Sequence, residues 1–261
     1  MNLPVDADVL HVRGAALACR RIGHGPPLLM LHGGGGPTPQ APYLNALAKH
    51  FEIILPTHPG FYGSPRPPQI TSVDDLAYLY LDLIDNFALS NLTVMGFSMG
   101  GWLALELATK SCARLKRLVL VDAVGVKFTD RETRQFPDIF AMAPDKLGQL
   151  AFHDPGRMAP DFSTFSEEEL KEFVTNREAL VQYVWEPYLH NPKLLGRLHR
   201  VTVPVECIWG ESDGLASPDY GRALTAALPD ARFRLIPEAG HAPQLEQPES
   251  FVAAALDACL A

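Results

Sequence analysis

The stretch Leu92-Thr93-Val94-Met95-Gly96-Phe97-Ser98-Met99-Gly100-Gly101-Trp102-Leu103-Ala104-Leu105-Glu106-Leu107-Ala108 decides the fold. Its first four residues read as a buried strand, and those after Gly101 are strong helix formers. Between them stands G-x-S-x-G. A serine held at so tight a strand-to-helix turn needs small neighbours, because β-carbons beside it have no room, and Gly96 and Gly100 meet that need. The turn predicts a strained backbone at Ser98 and a hydroxyl held clear of the sheet. The helix start offers unpaired backbone amides, Met99 N–H foremost, to a developing oxyanion. Gly101 lets the helix pack close to a neighbouring strand.

Outward from this turn, the chain alternates strand and helix signals. Apolar runs at 9–12, 15–21, 27–32, 52–55, 118–121, 203–209 and 232–236 read as further strands. Amphipathic segments separate them; Leu76, Leu79, Tyr80, Leu83, Ile84 and Phe87, for instance, fall on one helical face. The expectation is an α/β fold, a mostly parallel sheet with helices on both faces. The alternation stops between 126 and 200. There the chain reads as short helices punctuated by Pro137, Pro144, Pro155, Pro160, Pro187 and Pro192, with a capping box at Ser166 and Glu169 and apolar positions Leu170, Phe173, Val174, Leu180, Val181 and Val184 behind it. The division is a core of residues 1–125 and 201–261 with a helical insert at 126–200.

The 261 residues are 47% hydrophobic and 20% charged, with formal charge −8. An acidic chain lacks the positive surface that nucleic-acid backbones require, so no nucleic-acid partner is expected. Residues 1–8 show no basic n-region or apolar core, and no window approaches ~18 uninterrupted apolar residues, so neither a secretory signal nor a membrane span is expected and the compartment reads as cytoplasmic. Cys19, Cys112, Cys207 and Cys259 are scattered, without the spacing of a metal finger, and read as reduced packing residues. No metal is expected.

A serine is a weak nucleophile on its own and needs a base and an acid that orients it. The strand at 205–209 runs into Gly210-Glu211-Ser212-Asp213-Gly214, and the strand at 233–236 into Pro237-Glu238-Ala239-Gly240-His241-Ala242-Pro243. Both loops would open at the carboxyl edge of the sheet beside Ser98. Of nine histidines, His241 alone follows the last strand in a glycine-containing loop, and it is the candidate base. Asp213 is the first candidate for the acid; Asp122, ending the strand at 118–121, and Glu211 stay open. After the third strand, His32-Gly33-Gly34-Gly35-Gly36-Pro37 offers approachable amides, with Gly34 N–H expected as the second oxyanion donor. A phosphate loop fails here, since Pro37-Thr38-Pro39 stands where Lys-Ser/Thr belongs. No G-x-G-x-x-G with a downstream ribose-binding acid occurs, and nucleotide binding ranks low.

Together the His32-Gly33 loop, Pro59-Gly60-Phe61-Tyr62-Gly63-Ser64, Gly96-Phe97-Ser98-Met99-Gly100-Gly101, Trp209-Gly210-Glu211-Ser212-Asp213 and Gly240-His241 resemble the α/β-hydrolase superfamily over nearly the whole chain except the insert. The resemblance implies an eight-stranded sheet, a cap between strands six and seven, a Ser98-His241-Asp213 triad and no cofactor. It is similar both to cap-bearing esterases and to carbon–carbon hydrolases of meta-cleavage products. The latter usually carry tryptophan after the catalytic histidine, where this chain has Ala242, and a cap arginine for a substrate carboxylate, for which Arg131, Arg134, Arg157, Arg177 and Arg197 are available. Serine rather than aspartate at position 98 argues against dehalogenase and epoxide hydrolase chemistry. The expected function is hydrolysis of a carboxylic ester of a small, apolar substrate through an acyl-enzyme on Ser98. Carbon–carbon hydrolysis is the runner-up, with perhydrolase-like action or a small-molecule receptor behind it. Phe136, Phe140, Trp185 and Tyr188 are the candidate pocket residues in the insert.

Overall fold

The computed structural model describes residues 7–38 and 40–260; residues 1–6 at the start read for targeting signals, Pro39 of the excluded phosphate loop and Ala261 lie outside them. In chain order the elements are β1 (Asp8–Val12), β2 (Ala15–Ile22), β3 (Pro27–Leu31), α1 (Pro42–Leu47), β4 (Glu52–Pro56), α2 (Val73–Asn86), β5 (Leu92–Phe97), α3 (Met99–Lys110), β6 (Leu115–Val121), α4 (Pro144–Ala151), α5 (Pro155–Met158), α6 (Glu167–Val184), β7 (Val205–Gly210), α7 (Pro218–Ala227), β8 (Ala231–Ile236), α8 (Pro243–Glu246) and α9 (Pro248–Leu260). The eight strands form one sheet in the order β1-β2-β4-β3-β5-β6-β7-β8. Pairs β1/β2 and β2/β4 are antiparallel and the rest are parallel. This is the expected α/β-hydrolase fold.

The period of two in the central strands builds two cores. Leu29, Leu31, Val94, Leu118 and Leu120 point into one, against Leu76 and Leu83 of α2, Trp102 and Leu103 of α3, and Leu224 of α7. Leu28, Met30, Met95, Val119 and Val121 point into the other, against Leu44 and Leu47 of α1 and Phe251 and Ala255 of α9. Strands buried on both faces must be apolar throughout, which is why β5 is wholly buried. The chain leaves β3 for β4 on one side and returns to β5 on the other. Such a reversal opens a crevice at the carboxyl ends of the strands, where the glycine loop after β3 and Ser98 after β5 both lie.

Three expectations shift in detail. The strand expected from 203 begins at Val205, because Pro204 has no N–H for the ladder and only its carbonyl pairs, accepting from Leu118 N–H. Phe87 is the C-cap of α2 and is exposed, since the helix ends before it can turn inward. In α6 the capping box forms as read, Ser166 Oγ accepting from Glu169 N–H and Glu169 Oε2 from Ser166 N–H. Its apolar face, however, is buried only in the second half. Ala179, Leu180, Tyr183 and Val184 pack inward while Leu170, Phe173 and Val174 stay exposed. Between β6 and β7 the described residues form helices and no strand, apart from an isolated bridge between Gly125 and His190. Among the described residues no helix is long and apolar enough to cross a membrane. The four cysteines are free, and burial pushes the thiols of Cys19 and Cys207 up to about 12.

Candidate active site

Ser98 follows β5 with φ 51° and ψ −114°, a left-handed conformation that costs a non-glycine residue roughly 1 to 3 kcal/mol. Close packing holds it there. A β-carbon on Gly96 would overlap the Gly100 carbonyl, and one on Gly100 would overlap the carbonyl of Leu31 at the end of β3. Gly101 packs on Ala123 just past β6, as its smallness predicts. Nothing larger than hydrogen fits at 96 or 100 without moving backbone.

The three candidate catalytic side chains meet at this edge. Ser98 Oγ lies 2.9 Å from His241 Nε2, and His241 Nδ1 lies 2.8 Å from Asp213 Oδ2. Asp213 is fully buried and its Oδ1 accepts from Leu215 N–H (2.8 Å) and Ala216 N–H (3.0 Å), so the carboxylate is fixed from behind. With the imidazole neutral, its proton sits on Nδ1 facing the carboxylate, which leaves the Nε2 lone pair for the Ser98 hydroxyl. Glu211 is not in this arrangement; its Oε2 accepts from Glu238 N–H at 3.3 Å. Asp122 lies beside the arrangement and does not bond the imidazole. Asp122, Asp213 and His241 offer ligand atoms within 4.8 Å of one another. The Nδ1–Oδ2 distance is that of a direct hydrogen bond, so the donors a metal would use are already engaged with each other.

Both expected oxyanion amides flank the serine. Met99 N–H opens α3, and among the described residues neither it nor Gly34 N–H has a hydrogen-bond partner. A β-carbon at Gly33 would stand 3.2 Å from the Ser98 β-carbon, which brings the glycine loop directly against the nucleophile candidate. That loop is pinned by two histidines whose role the sequence did not suggest. His32 Nδ1–H donates to Gly33 O at 2.7 Å and Nε2 accepts from His58 N–H at 2.9 Å. His58 in turn donates from Nε2 to His32 O and faces the Tyr80 hydroxyl with Nδ1 at 2.6 Å. Burial pulls the His32 imidazole down to about 4 and, together with His32, pulls His58 well below the usual histidine range.

Contacts from the segment between β6 and β7 complete the edge. Asn176 of α6 donates to Gly35 O (3.1 Å) and accepts from Tyr62 N–H (2.7 Å), tying the glycine loop to the loop after β4. Leu180 lies over Gly34, where an added β-carbon would strike it. At the other side, Leu150 O and Ala151 O at the end of α4 accept from Gly214 N–H and His241 N–H, at 2.9 and 2.6 Å. Buried Glu246 accepts from Gly240, His153 and Asp154 N–H and thereby joins the histidine loop to the chain after α4. Asn176, Leu150, Ala151 and Glu246 carry no local sequence signal for these contacts, which span tens of residues.

Of the four candidate pocket residues, three lie together and Phe136 lies apart. Phe136 is buried against Tyr220, with ring centroids 5.0 Å apart. Phe140, Trp185 and Tyr188 form one aromatic group, and Trp185 remains 54% exposed. A cavity of about 780 Å³ lies elsewhere, between α2, α3 and the chain after α6, lined by Tyr78, Trp102, Lys110, Tyr183, Asn191 and Arg197 among others. Neither Ser98, Asp213, His241 nor any of these four aromatics lines it.

A family model described as the α/β hydrolase family matches residues 28–255, and the chain belongs to that family. It is a carboxylesterase-like hydrolase. It is 25% identical to a pimeloyl-(acyl-carrier protein) methyl ester esterase of Nitrosospira multiformis, over 91% of this chain and 96% of the other. Among solved structures, a bacterial membrane phospholipase A superposes with TM-score 0.79 at 20% identity, covering 98% of this chain and 85% of that one. A meta-cleavage product hydrolase does so with TM-score 0.75 at 21% identity and 97% coverage of both. The two structural likenesses concern the fold.

Two predictions test this geometry. Gly100→Ala forces backbone apart at the β3 end and is expected to destabilise the protein by about 3 kcal/mol in urea unfolding, at the upper end of the usual cost of overpacking; a loss within the ~0.5 kcal/mol of a surface change would refute the packing argument. His32 folds neutral, so its contribution is fully present above the unfolded value of about 6.5 and is lost as pH falls toward about 4. Over that window it should cost on the order of 3 kcal/mol, and the pH slope of stability should be shallower in His32→Gln by about one proton.

Proposed function

We propose that the chain hydrolyses a carboxylic ester of a small, apolar substrate through an acyl-enzyme on Ser98. The observation that carries this reading is the continuous chain from Ser98 Oγ to His241 Nε2 at 2.9 Å and from His241 Nδ1 to Asp213 Oδ2 at 2.8 Å. His241 takes the serine proton as Oγ attacks the carbonyl carbon, and Asp213 holds the tautomer and stabilises the imidazolium. The carbonyl π electrons move onto oxygen, which the Gly34 and Met99 amides receive; one such donor is worth roughly 3 to 4 kcal/mol of barrier. Collapse expels the alcohol, protonated by His241. Water, deprotonated by the same imidazole, then attacks the acyl-enzyme and releases the acid. Residues 126–200 act as a cap over this edge, an assignment supported by the contacts of Asn176, Leu180 and Ala151 with the loops that carry the site.

An ester is favoured over a carbon–carbon bond by Ala242 after His241, where carbon–carbon hydrolases usually carry tryptophan, and by the engagement of two of the five candidate arginines within the insert. Arg177 donates to Ile139 O at 2.6 Å and lies over the Phe140 ring, and Arg134 pairs with Asp138. The Arg134 charge is thereby met by a carboxylate, while Arg177 is held by a carbonyl and a ring face. Apolar preference is supported by Leu180 above Gly34.

Ser98→Ala is expected to lower p-nitrophenyl ester turnover by at least ~10⁴-fold while the protein still folds. A fluorophosphonate should label Ser98 and no other residue, read by peptide mass spectrometry; labelling elsewhere overturns the assignment. Because Leu180 roofs the oxyanion side, Leu180→Ala should raise kcat/KM for p-nitrophenyl octanoate relative to acetate by roughly tenfold, the worth of one or two methylenes in an apolar pocket. An unchanged ratio would remove Leu180 from the acyl site. Incubation with a dienoic ring-fission product, followed by its visible absorption, tests the ester preference directly.

A further inference from the structure

Asp122 ends β6 beside the site, and no step above uses it. It is completely buried and sits at φ 44°. Its Oδ1 accepts from Gly210 N–H at 2.9 Å, whereas Oδ2, equally buried, has no donor facing it among the described residues. The groups around it are titratable. Asp213 and His241 lie within 4.8 Å by their ligating atoms, Asp213 within side-chain hydrogen-bonding reach, and Glu246 acts on it from α8. Both neighbouring acids are anionic when ionised.

An ionised Asp122 would therefore leave one buried oxygen without a donor and set two carboxylate charges against each other in a medium that screens poorly. A proton on Oδ2 removes both costs at once. It turns the orphaned acceptor into a donor, and the Asp213 carboxylate is an acceptor within its reach. Resting on the triad reading above, we propose that Asp122 is a neutral carboxylic acid that donates an O–H hydrogen bond to Asp213, so that the two side chains share a single negative charge in service of His241. Burial, and after it the Asp213 charge, push the Asp122 carboxyl well above the usual carboxylate range, which accords with this protonation.

The consequence for the reaction is a moderated partner for the imidazole. Two carboxylate charges behind His241 would hold the imidazolium too firmly and slow its return of the proton to the leaving alcohol; one charge, steadied by the Asp122 O–H, avoids this. Asp122 thus acts through Asp213 as a positioning residue.

The test compares two substitutions with opposite meanings. Asp122→Ala removes the donor and should lower kcat/KM for p-nitrophenyl acetate by roughly tenfold, the range for a hydrogen bond to a charged group. Asp122→Asn keeps an acceptor for Gly210 and a donor for Asp213, is neutral like the acid it replaces, and should recover most of that loss. The acid limb of kcat/KM, which reports His241 protonation in the free enzyme, should stay within about 0.3 pH unit of wild type in Asp122→Asn. A downward move of about one unit or more means that a negative charge was removed and overturns the proposal. Equal losses in the Ala and Asn variants overturn it too. Independently of any variant's folding, carbon-13 NMR of aspartate-labelled wild-type enzyme at pH 7 should show one carboxyl in its acid form, and its absence is decisive against. The same spectrum of Ser98→Ala reads the Asp122 proton whether or not Ser98 is the nucleophile, so failure of the triad reading and failure of this one are told apart.

Discussion

The approach of Gly100 to the end of β3 is the contact on which the rest of the site depends. With hydrogen in place of a side chain, α3 starts within van der Waals distance of the Leu31 carbonyl, and Gly96 lets β5 reach the same point from the other direction. Ser98 is caught between them in a conformation that an unconstrained serine would leave. The strain is sustained because relieving it would require separating β3, β5 and α3, whose apolar side chains form the larger core. A single steric constraint thereby places a hydroxyl above the sheet, frees the Met99 amide at the helix start, and brings Gly33 against the serine.

A second set of contacts fixes what the elbow cannot. The loops after β7 and β8 carry Asp213 and His241, and loops at a sheet edge have no ladder to hold them. Here the backbone carbonyls at the end of α4 take the N–H groups of Gly214 and His241, and Glu246 ties Gly240 to His153 and Asp154. Across the edge, Asn176 joins the glycine loop to Tyr62. The helical segment between β6 and β7 is therefore part of the frame that positions both loops. Its exposed half, around Leu170, Phe173 and Val174, makes no such contact.

What could be read in the sequence divides along the range of the interaction. The sheet was legible because burial on two faces demands continuous apolar runs, and the elbow because a turn that tight demands glycine at fixed spacing. Asp213 and His241 were legible as residues that end successive strands of a parallel sheet, whose carboxyl ends must share an edge. Asn176, Glu246 and the Leu150 and Ala151 carbonyls were not, since a polar contact spanning tens of residues leaves no periodicity around either partner. The helical period of α6 revealed an apolar face, yet nothing in a period says how much of it a neighbour covers, and half of that face stays exposed. The aromatic residues of the insert were legible by composition alone, and the structure groups Phe140, Trp185 and Tyr188 while it packs Phe136 on Tyr220 in the main core.

The three imidazoles at this edge differ in what their ring nitrogens meet. His32 and His58 are wholly buried, and each spends both ring nitrogens on protein groups that do not change: a carbonyl, a backbone amide, a tyrosine hydroxyl. A second proton on His32 would face the His58 N–H and break a bond that holds the glycine loop, and burial keeps both rings neutral. His241 differs in partners before it differs in environment. One nitrogen faces a buried carboxylate that favours positive charge, and the other faces the Ser98 hydroxyl. The same rule separates the two aspartates that end β6 and face it from β7. Asp213 has two backbone amides and an imidazole to satisfy a charge, while Asp122 has one amide and a carboxylate, a set of partners that is complete only when Asp122 carries the proton.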